Sequence, residues 1–377
     1  MPPSDHNEFH WLADGRQAFK RAMSAIDQAG RRVDMEMYIF AADASGRAFL
    51  EHLVEAAKRG VTVRVLVDSF GSITLSDSFW QPLREAGGEV RWFNPIRLGR
   101  FALRNHRKLL VCDDAVGFVG GFNVSDDYAG DGVTHGWRDL GLEIRGTAVA
   151  MLSGSFAASW SNAELRQPRI PQFRRSRSRA AIHDSRCDLL LSGPGRNSNF
   201  IQRQLLNDLR VAREVDVMVA YFLPTRRLRR ALVRVARRGG RVRMIFAGKS
   251  DVPMAQDAGN SLYGRLLRAG IGIWEYQPQI LHAKIIVIDD NVYVGSSNLD
   301  TRSLQINYEL MLRVKDTKLA GEARQIITDD LRHSLPVSRD SWRARQTIWS
   351  RLRQQWAHFL FTRVDMYFAR RQMKLLR

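Results

Sequence analysis

The chain has 377 residues, 45% of them hydrophobic and 26% charged, which excludes a disordered protein and gives enough length for two domains. Lys and Arg total 58 against 39 Asp and Glu, a formal charge of +19 that points to a polyanionic partner, either nucleic acid or an anionic membrane face. Two cysteines, Cys112 and Cys187, exclude a disulfide framework; no 18-residue apolar run or signal pattern is present, so a reducing cytoplasm and a chain neither secreted nor membrane-spanning are expected.

In chain order, apolar spacing predicts a helix over 16–29, a strand over 33–40 (VDMEMYIF), a helix over 46–59 ended by Gly60, and a buried parallel-type strand over 61–68. A short helix over 80–86, a Gly87-Gly88 break and a strand over 90–93 follow. Next come a motif at 105–123, a strand over 137–144 (WRDLGLEI) and an amphipathic helix over 147–163. Residues 166–186, rich in Arg and Ser with two prolines, read as a solvated linker or surface loop, with a phosphate-contacting flap as the alternative.

The same order then restarts: helix 199–212, strand 215–222 (VDVMVAYF), basic helix 228–238 ended by Gly239-Gly240, strand 242–247, helix 262–269 and strand 271–276. AAKRGVTVRVLVD in the first half is matched by VARRGGRVRMIFA in the second. The expected domains are a first lobe at 1–165, the linker at 166–186, a second lobe at 187–335 and a basic amphipathic C-terminal helix at 336–377. Alternating helix and strand in two equivalent halves predicts two α/β lobes with mixed sheets, packed together.

Each half carries His-x-Lys-x4-Asp: His106, Lys108, Asp113, then His282, Lys284, Asp289, 176 residues apart from His to His. Residues two apart on a strand share a face, so each His projects with its Lys. A small-residue turn and an Asn follow: Gly120, Gly121 and Asn123 in the first copy, Gly295, Ser296, Ser297 and Asn298 in the second. Small residues there would let a ligand approach the backbone. A lone His or Lys would be an ordinary surface or core residue; two copies with one spacing argue for a single site built from two halves. The Lys beside each His disfavours a cation, no Cys cluster or HExxH pattern accompanies them, and neither metal nor cofactor is expected.

Two His, two Lys and two Asn suit a phosphate, with one imidazole as nucleophile and the other as acid, then base. Each imidazole then needs a carboxylate on its second nitrogen, and the expectation within each half is Asp139 for His106 and Glu309 for His282, with Glu143 as the spare.

At these residues the chain resembles the phospholipase D superfamily, whose mark is the duplicated motif. EMYIF, HRKLL with GGFN, GKSDVP, LHAKIIVID and GSSNLDTRS are similar to stretches of bacterial cardiolipin synthases, in particular the group without N-terminal transmembrane helices. The resemblance implies two pseudo-twofold-related lobes, a phosphatidyl-histidine intermediate, no metal, phosphate binding by the motif Lys and Asn, and structural roles for Asp113 and Asp289. It makes His106 the nucleophile and His282 the acid. The implied reaction transfers a phosphatidyl group from phosphatidylglycerol to a second phospholipid, with a hydrolytic phospholipase D, a nuclease of the superfamily, or a non-catalytic basic protein binding membrane or DNA as alternatives. The partners implied are anionic phospholipids, phosphatidylglycerol and cardiolipin, at the cytoplasmic face of the cell membrane, with no obligatory nucleic acid. Trp349, Leu352, Trp356, Leu360 and Tyr367, near helical spacing among many Arg, suggest a helix lying in an anionic lipid interface, or one docked on the domain.

Overall fold

Runs of β-branched and aliphatic residues dominate the strands because both faces of each sheet are covered. The computed structural model describes residues 7–95, 103–163, 181–183, 186–194 and 199–375. In the first half, strands β1 (Glu8–Leu12), β2 (Arg32–Met37), β3 (Thr62–Asp68), β4 (Glu89–Phe93), β5 (Leu109–Cys112), β6 (Val116–Gly120) and β7 (Gly141–Arg145) form one mixed sheet in the order β1-β7-β6-β5-β2-β3-β4. Its helices are α1 (Gly15–Gln28), α2 (Ala44–Lys58), α3 (Gln81–Glu85) and α4 (Ala148–Ala163).

The second half contributes β8 (Ala181–His183), β9 (Cys187–Ser192), β10 (Glu214–Val219), β11 (Phe222–Leu223), β12 (Arg241–Ala247), β13 (Gly272–Tyr276), β14 (Lys284–Ile288), β15 (Asn291–Gly295), β16 (Leu299–Asp300), β17 (Glu309–Lys315) and β18 (Ser334–Pro336). Its main sheet runs β18-β13-β12-β10-β14-β15-β17-β9-β8, so seven of its strands repeat the order of the first sheet and β8 and β18 extend the edges. Helices α5 (Phe200–Leu209), α6 (Arg226–Arg237), α7 (Pro253–Asn260), α8 (Tyr263–Arg268), α9 (Thr301–Gln305) and α10 (Thr317–Arg332) complete the lobe. The duplication reaches single side chains: Arg64 pairs with buried Asp34 at 2.7 Å across β3 and β2, and Arg243 pairs with buried Asp216 at 2.6 Å across β12 and β10.

One apolar cluster joins the lobes. It combines Val149, Leu152 and Phe156 of α4 with Leu319, Ala323 and Ile327 of α10 and with inward residues of both sheets, including Val111, Leu142, Ile285 and Leu310. Separate clusters lie under α1–α3 and under α5–α8. The two motif strands, β5 and β14, sit in the middle of their sheets, each paired antiparallel to the strand that follows α1 or α5.

Several expected elements end sooner than the apolar pattern suggested. The strand expected over 33–40 stops at Met37, and that over 215–222 at Val219, because the following residues leave the sheet to bridge Phe40 to Val124 and Phe222 to Leu299. The strand expected over 137–144 begins only at Gly141, since Arg138 pairs with Leu281 of the other lobe. Residues 166–180 and 184–185 of the expected linker lie outside the described residues, whereas Ala181–His183 is an edge strand on β9. The C-terminal region is not one helix but α11 (Arg339–Ala344), α12 (Ile348–Phe359) and α13 (Asp365–Leu375), the last two joined through a π-type turn at Leu360–Val364.

Candidate active site

Asp113 and Asp289 close each motif at the end away from the histidines. Both adopt left-handed backbone, φ 56° and 48°, in the hairpin turns after β5 and β14. The Asp113 carboxylate accepts the backbone N–H groups of Gly30, Arg31 and Arg32 at 2.7–2.8 Å, and these bonds outweigh burial and hold its pKa low. Asp289 accepts from Arg213 at 3.0 Å and Glu214 at 2.9 Å. These carboxylates tie each hairpin to the start of β2 or β10 and do not face the histidines, a bracing geometry. Asp113→Ala should destabilise the fold by about 2–3 kcal/mol by orphaning three N–H groups, with turnover per folded molecule retained; urea denaturation beside activity assays measures both.

His106 and His282 precede β5 and β14, on segments that cross to the opposite lobe. His106 N–H donates to the Tyr308 carbonyl and Tyr308 N–H to the Arg104 carbonyl, both at 2.9 Å; in the mirror arrangement, His282 N–H donates to the Arg138 carbonyl at 2.8 Å. Glu309 follows Tyr308 and Asp139 follows Arg138, so each carboxylate is delivered to the other lobe's histidine. His106 Nδ1 lies 3.1 Å from Glu309 Oε2, and His282 Nδ1 lies 2.6 Å from Asp139 Oδ2. This reverses the pairing expected from sequence order, which kept carboxylate and histidine within one half. Glu143, the spare candidate, is bound instead by Arg21 and Arg145 on the β1 side of the sheet.

Each imidazole thus presents Nε2 to the site, with Nδ1–H donating to a carboxylate. Lys284 Nζ also lies 2.8 Å from His282 Nδ1, but that nitrogen's proton belongs to the shorter, charge-assisted contact with Asp139. Lys284 instead donates to the His282 carbonyl, as Lys108 does to the His106 carbonyl at 2.7 Å. Arg107, between His106 and Lys108, points to the other face, where its guanidinium reaches Ser159 of α4 at 2.8 Å.

Burial, and the proximity of Lys284, bring Lys108 down to about 7; burial brings Lys284 down to about 8. Burial also lowers both histidines, against the raising effect of Glu309 on His106 and of Asp139 on His282. Asp139 and Glu309 stay below the ordinary carboxylate range despite burial, because His282 with Lys284, and His106 with Lys108, face them. The site is therefore a buried cluster of two lysines, two ionised carboxylates and two imidazoles, and a bound anion would hold Lys108 in its charged form. Inorganic phosphate should bind with uptake of protons, and its affinity should fall as pH rises past about 7, where Lys108 loses its charge in the empty site. Calorimetry in two buffers of different ionisation enthalpy checks this; an affinity independent of pH would contradict it.

The small-residue turns serve the carboxylates. A Cβ on Gly121 would lie 2.1 Å from Asp139 Oδ1, so what approaches this backbone is Asp139 and not, as the sequence suggested, a ligand. The equivalent Ser296 donates its hydroxyl to Glu309 at 2.5 Å and accepts the Leu310 N–H at 3.0 Å. Gly121→Ala should displace Asp139 from His282 and lower turnover by about 10²-fold or more, with the thermal midpoint as the control for folding. Asn123 is buried between the Ile39 N–H (3.1 Å) and the Tyr128 hydroxyl (2.7 Å), while the Asn298 side-chain carbonyl is buried without a hydrogen-bond partner. No local pattern marks three aromatic neighbours: Tyr38, edge-on to His106 with centroids 4.7 Å apart, Tyr128, whose hydroxyl is 3.4 Å from His282 Nε2, and Trp137, 5.5 Å from the His282 ring.

The family model described as "Cardiolipin synthase, PLD-like domain" matches residues 22–135 and 205–331, one segment in each lobe. The chain belongs to this family. It is 32% identical over 362 residues to cardiolipin synthase 1 of Bacillus cereus, covering 91% of this chain and 70% of the relative. It is also 32% identical over 364 residues to the major cardiolipin synthase ClsA of Bacillus subtilis, covering 95% and 75%. Among solved structures, phosphatidylserine synthase of Haemophilus influenzae superposes with a TM-score of 0.73 at 14% identity, covering 96% of this chain and 94% of that one, which supports the two-lobed fold.

Proposed function

We propose that this chain is a cardiolipin synthase-type phosphatidyltransferase that moves a phosphatidyl group from phosphatidylglycerol to a hydroxyl of a second phospholipid. The observation that carries the reading is the crossed pair of histidine–carboxylate contacts, each beside its motif lysine, in a chain that matches cardiolipin synthases over nine-tenths of its length.

In the proposed cycle His106 Nε2 attacks phosphorus, the P–O bond to glycerol breaks, and His282 gives its proton to the departing glycerol. The acceptor hydroxyl then returns a proton to His282 and attacks phosphorus, the P–N bond breaks, and cardiolipin leaves. Lys108 and Lys284 hold the non-bridging oxygens, joined by Asn123 and Asn298, and the charge they supply needs no metal. His106 suits the nucleophile's part because, among the described residues, no hydrogen bond reaches its Nε2, whereas that of His282 faces the Tyr128 hydroxyl. Incubation with phosphatidylglycerol vesicles in EDTA tests the reading. Cardiolipin with free glycerol is the expected result; phosphatidic acid with glycerol would mean water is the acceptor, and no lipid turnover would sink it.

The membrane is proposed to meet the second lobe. Helix α12 docks on α7 through Gln354 and Ala357, and its other face exposes Ile348, Trp349, Leu352, Trp356 and Phe359, with Trp349 80% exposed. Beside it Arg226, Arg229, Arg230 and Arg237 of α6 with Arg265 and Arg268 of α8 line a groove of 630 Å³. Burial and the charges of Arg265, Arg226 and Arg230 lower the pKa of Arg229, the mark of closely clustered cations. Aromatic and basic surfaces together suit the anionic cytoplasmic leaflet. Among the described residues no helix is long and apolar enough to cross a membrane. Trp349→Ala/Trp356→Ala should weaken sedimentation with phosphatidylglycerol vesicles; unchanged binding would remove this face from consideration.

A further inference from the structure

Arg104, two residues before His106, is 2% exposed, and among the described residues none of its three guanidinium nitrogens has a hydrogen-bond partner. The group is 4.4 Å from the Phe70 ring centroid, and Asp68 Oδ1, at 3.9 Å, is outside hydrogen-bond reach. That carboxylate is already occupied: Oδ1 accepts the Phe70 and Gly71 N–H groups and Oδ2 the Asn105 N–H. Asp68 is a counter-ion at long range only, with no hydrogen bond to the guanidinium. A buried guanidinium with five unpaired N–H donors has the geometry and charge to bind a phosphate bidentately. Its electrostatic neighbours, Tyr38 and Arg302, place it on the His106–Glu309 side of the pocket: the Tyr38 phenol senses both arginines and Glu309, and the Tyr38 ring packs on His106.

We propose that Arg104 centres an acceptor subsite, binding the phosphodiester of the lipid whose hydroxyl attacks phosphohistidine. The transferred phosphate has its own cations in Lys108 and Lys284, so Arg104 is left for a second anion. In phosphatidylglycerol the accepting hydroxyl and the phosphodiester sit at opposite ends of one glycerol, so a hydroxyl aimed at phosphorus on His106 carries its own phosphate a glycerol's length away. Water and free glycerol lack that handle, and Arg104 thereby favours lipid over both as acceptor. This inference rests on the phosphatidyltransferase reading.

The test uses the full chain, phosphatidylglycerol vesicles and labelled glycerol, following cardiolipin and label entering phosphatidylglycerol in the same tube. Arg104→Gln should lower the ratio of cardiolipin formed to glycerol exchanged by about tenfold or more, the loss expected of a charge-assisted hydrogen bond, with Arg104→Lys recovering part. The ratio cancels any loss of folded enzyme. An unchanged ratio, whether both activities fall together or neither changes, overturns the subsite. Wild-type protein that exchanges glycerol without making cardiolipin also overturns it, and wild-type protein that does neither overturns the phosphatidyltransferase reading as well.

Discussion

His106→Ala and His282→Ala should each lower cardiolipin formation by at least about 10⁴-fold while leaving vesicle binding unchanged, because each removes a group that makes or breaks a bond and neither lies on the docking face. The two variants should part company on an activated substrate. A 4-nitrophenyl phosphodiester needs no proton for its leaving group, so His282→Ala should release one equivalent of nitrophenolate and hold the phosphoryl group on His106. His106→Ala should release none. A burst in His106→Ala and not in His282→Ala would exchange the two roles, and unchanged lipid turnover in either variant would end the two-histidine mechanism.

The second large effect follows from the crossed carboxylates. Glu309→Gln, although in the second lobe, should behave as a weakened form of the first-lobe histidine variant, slowing the nitrophenolate burst by about 10²–10⁴-fold. Asp139→Asn should spare the burst and suppress turnover of phosphatidylglycerol by a similar factor. The physical cause differs between the two: at His106 an amide that donates to Nδ1 places the proton on Nε2, the atom that must attack, and at His282 the amide removes the negative charge that supports the imidazolium. Double-mutant cycles should couple Glu309 to His106 and Asp139 to His282. Coupling of Asp139 to His106 would return the pairing to the order in which the residues occur along the chain.

That pairing shows where the sequence stopped being informative. Spacing and repetition located His106, Lys108, His282 and Lys284, the strands that carry them and both carboxylates, because alternation on a strand and a duplicated pattern are local signals. Which carboxylate meets which imidazole depends on how two lobes dock, and nothing in WRDLGLEI or NYELMLRV records that Arg138 will bridge Leu281 or Tyr308 will pair with Asn105. Tyr128 was invisible for the same reason, lying 154 residues from His282. Gly121 was legible as a place needing no side chain, but not as the place where Asp139 fits. The hairpins were easier: the second motif has one residue fewer between its Asp and Gly, and the turn between paired residues accordingly shrinks from 113–115 to 289–290.

Because each half completes the other's imidazole, the polypeptide is in effect a dimer whose subunits have been spliced end to end. A nascent chain that has emerged only as far as the first lobe contains His106, Lys108 and Asn123 but no acceptor for the histidine's Nδ1, and its counterpart carboxylate Asp139 has nothing to orient. Phosphodiester chemistry therefore switches on only after Glu309 of the second lobe has folded against its partner. Two separately expressed halves should be inert apart and recover activity together, and any lesion that loosens the seam between the lobes will silence the enzyme without touching a catalytic atom.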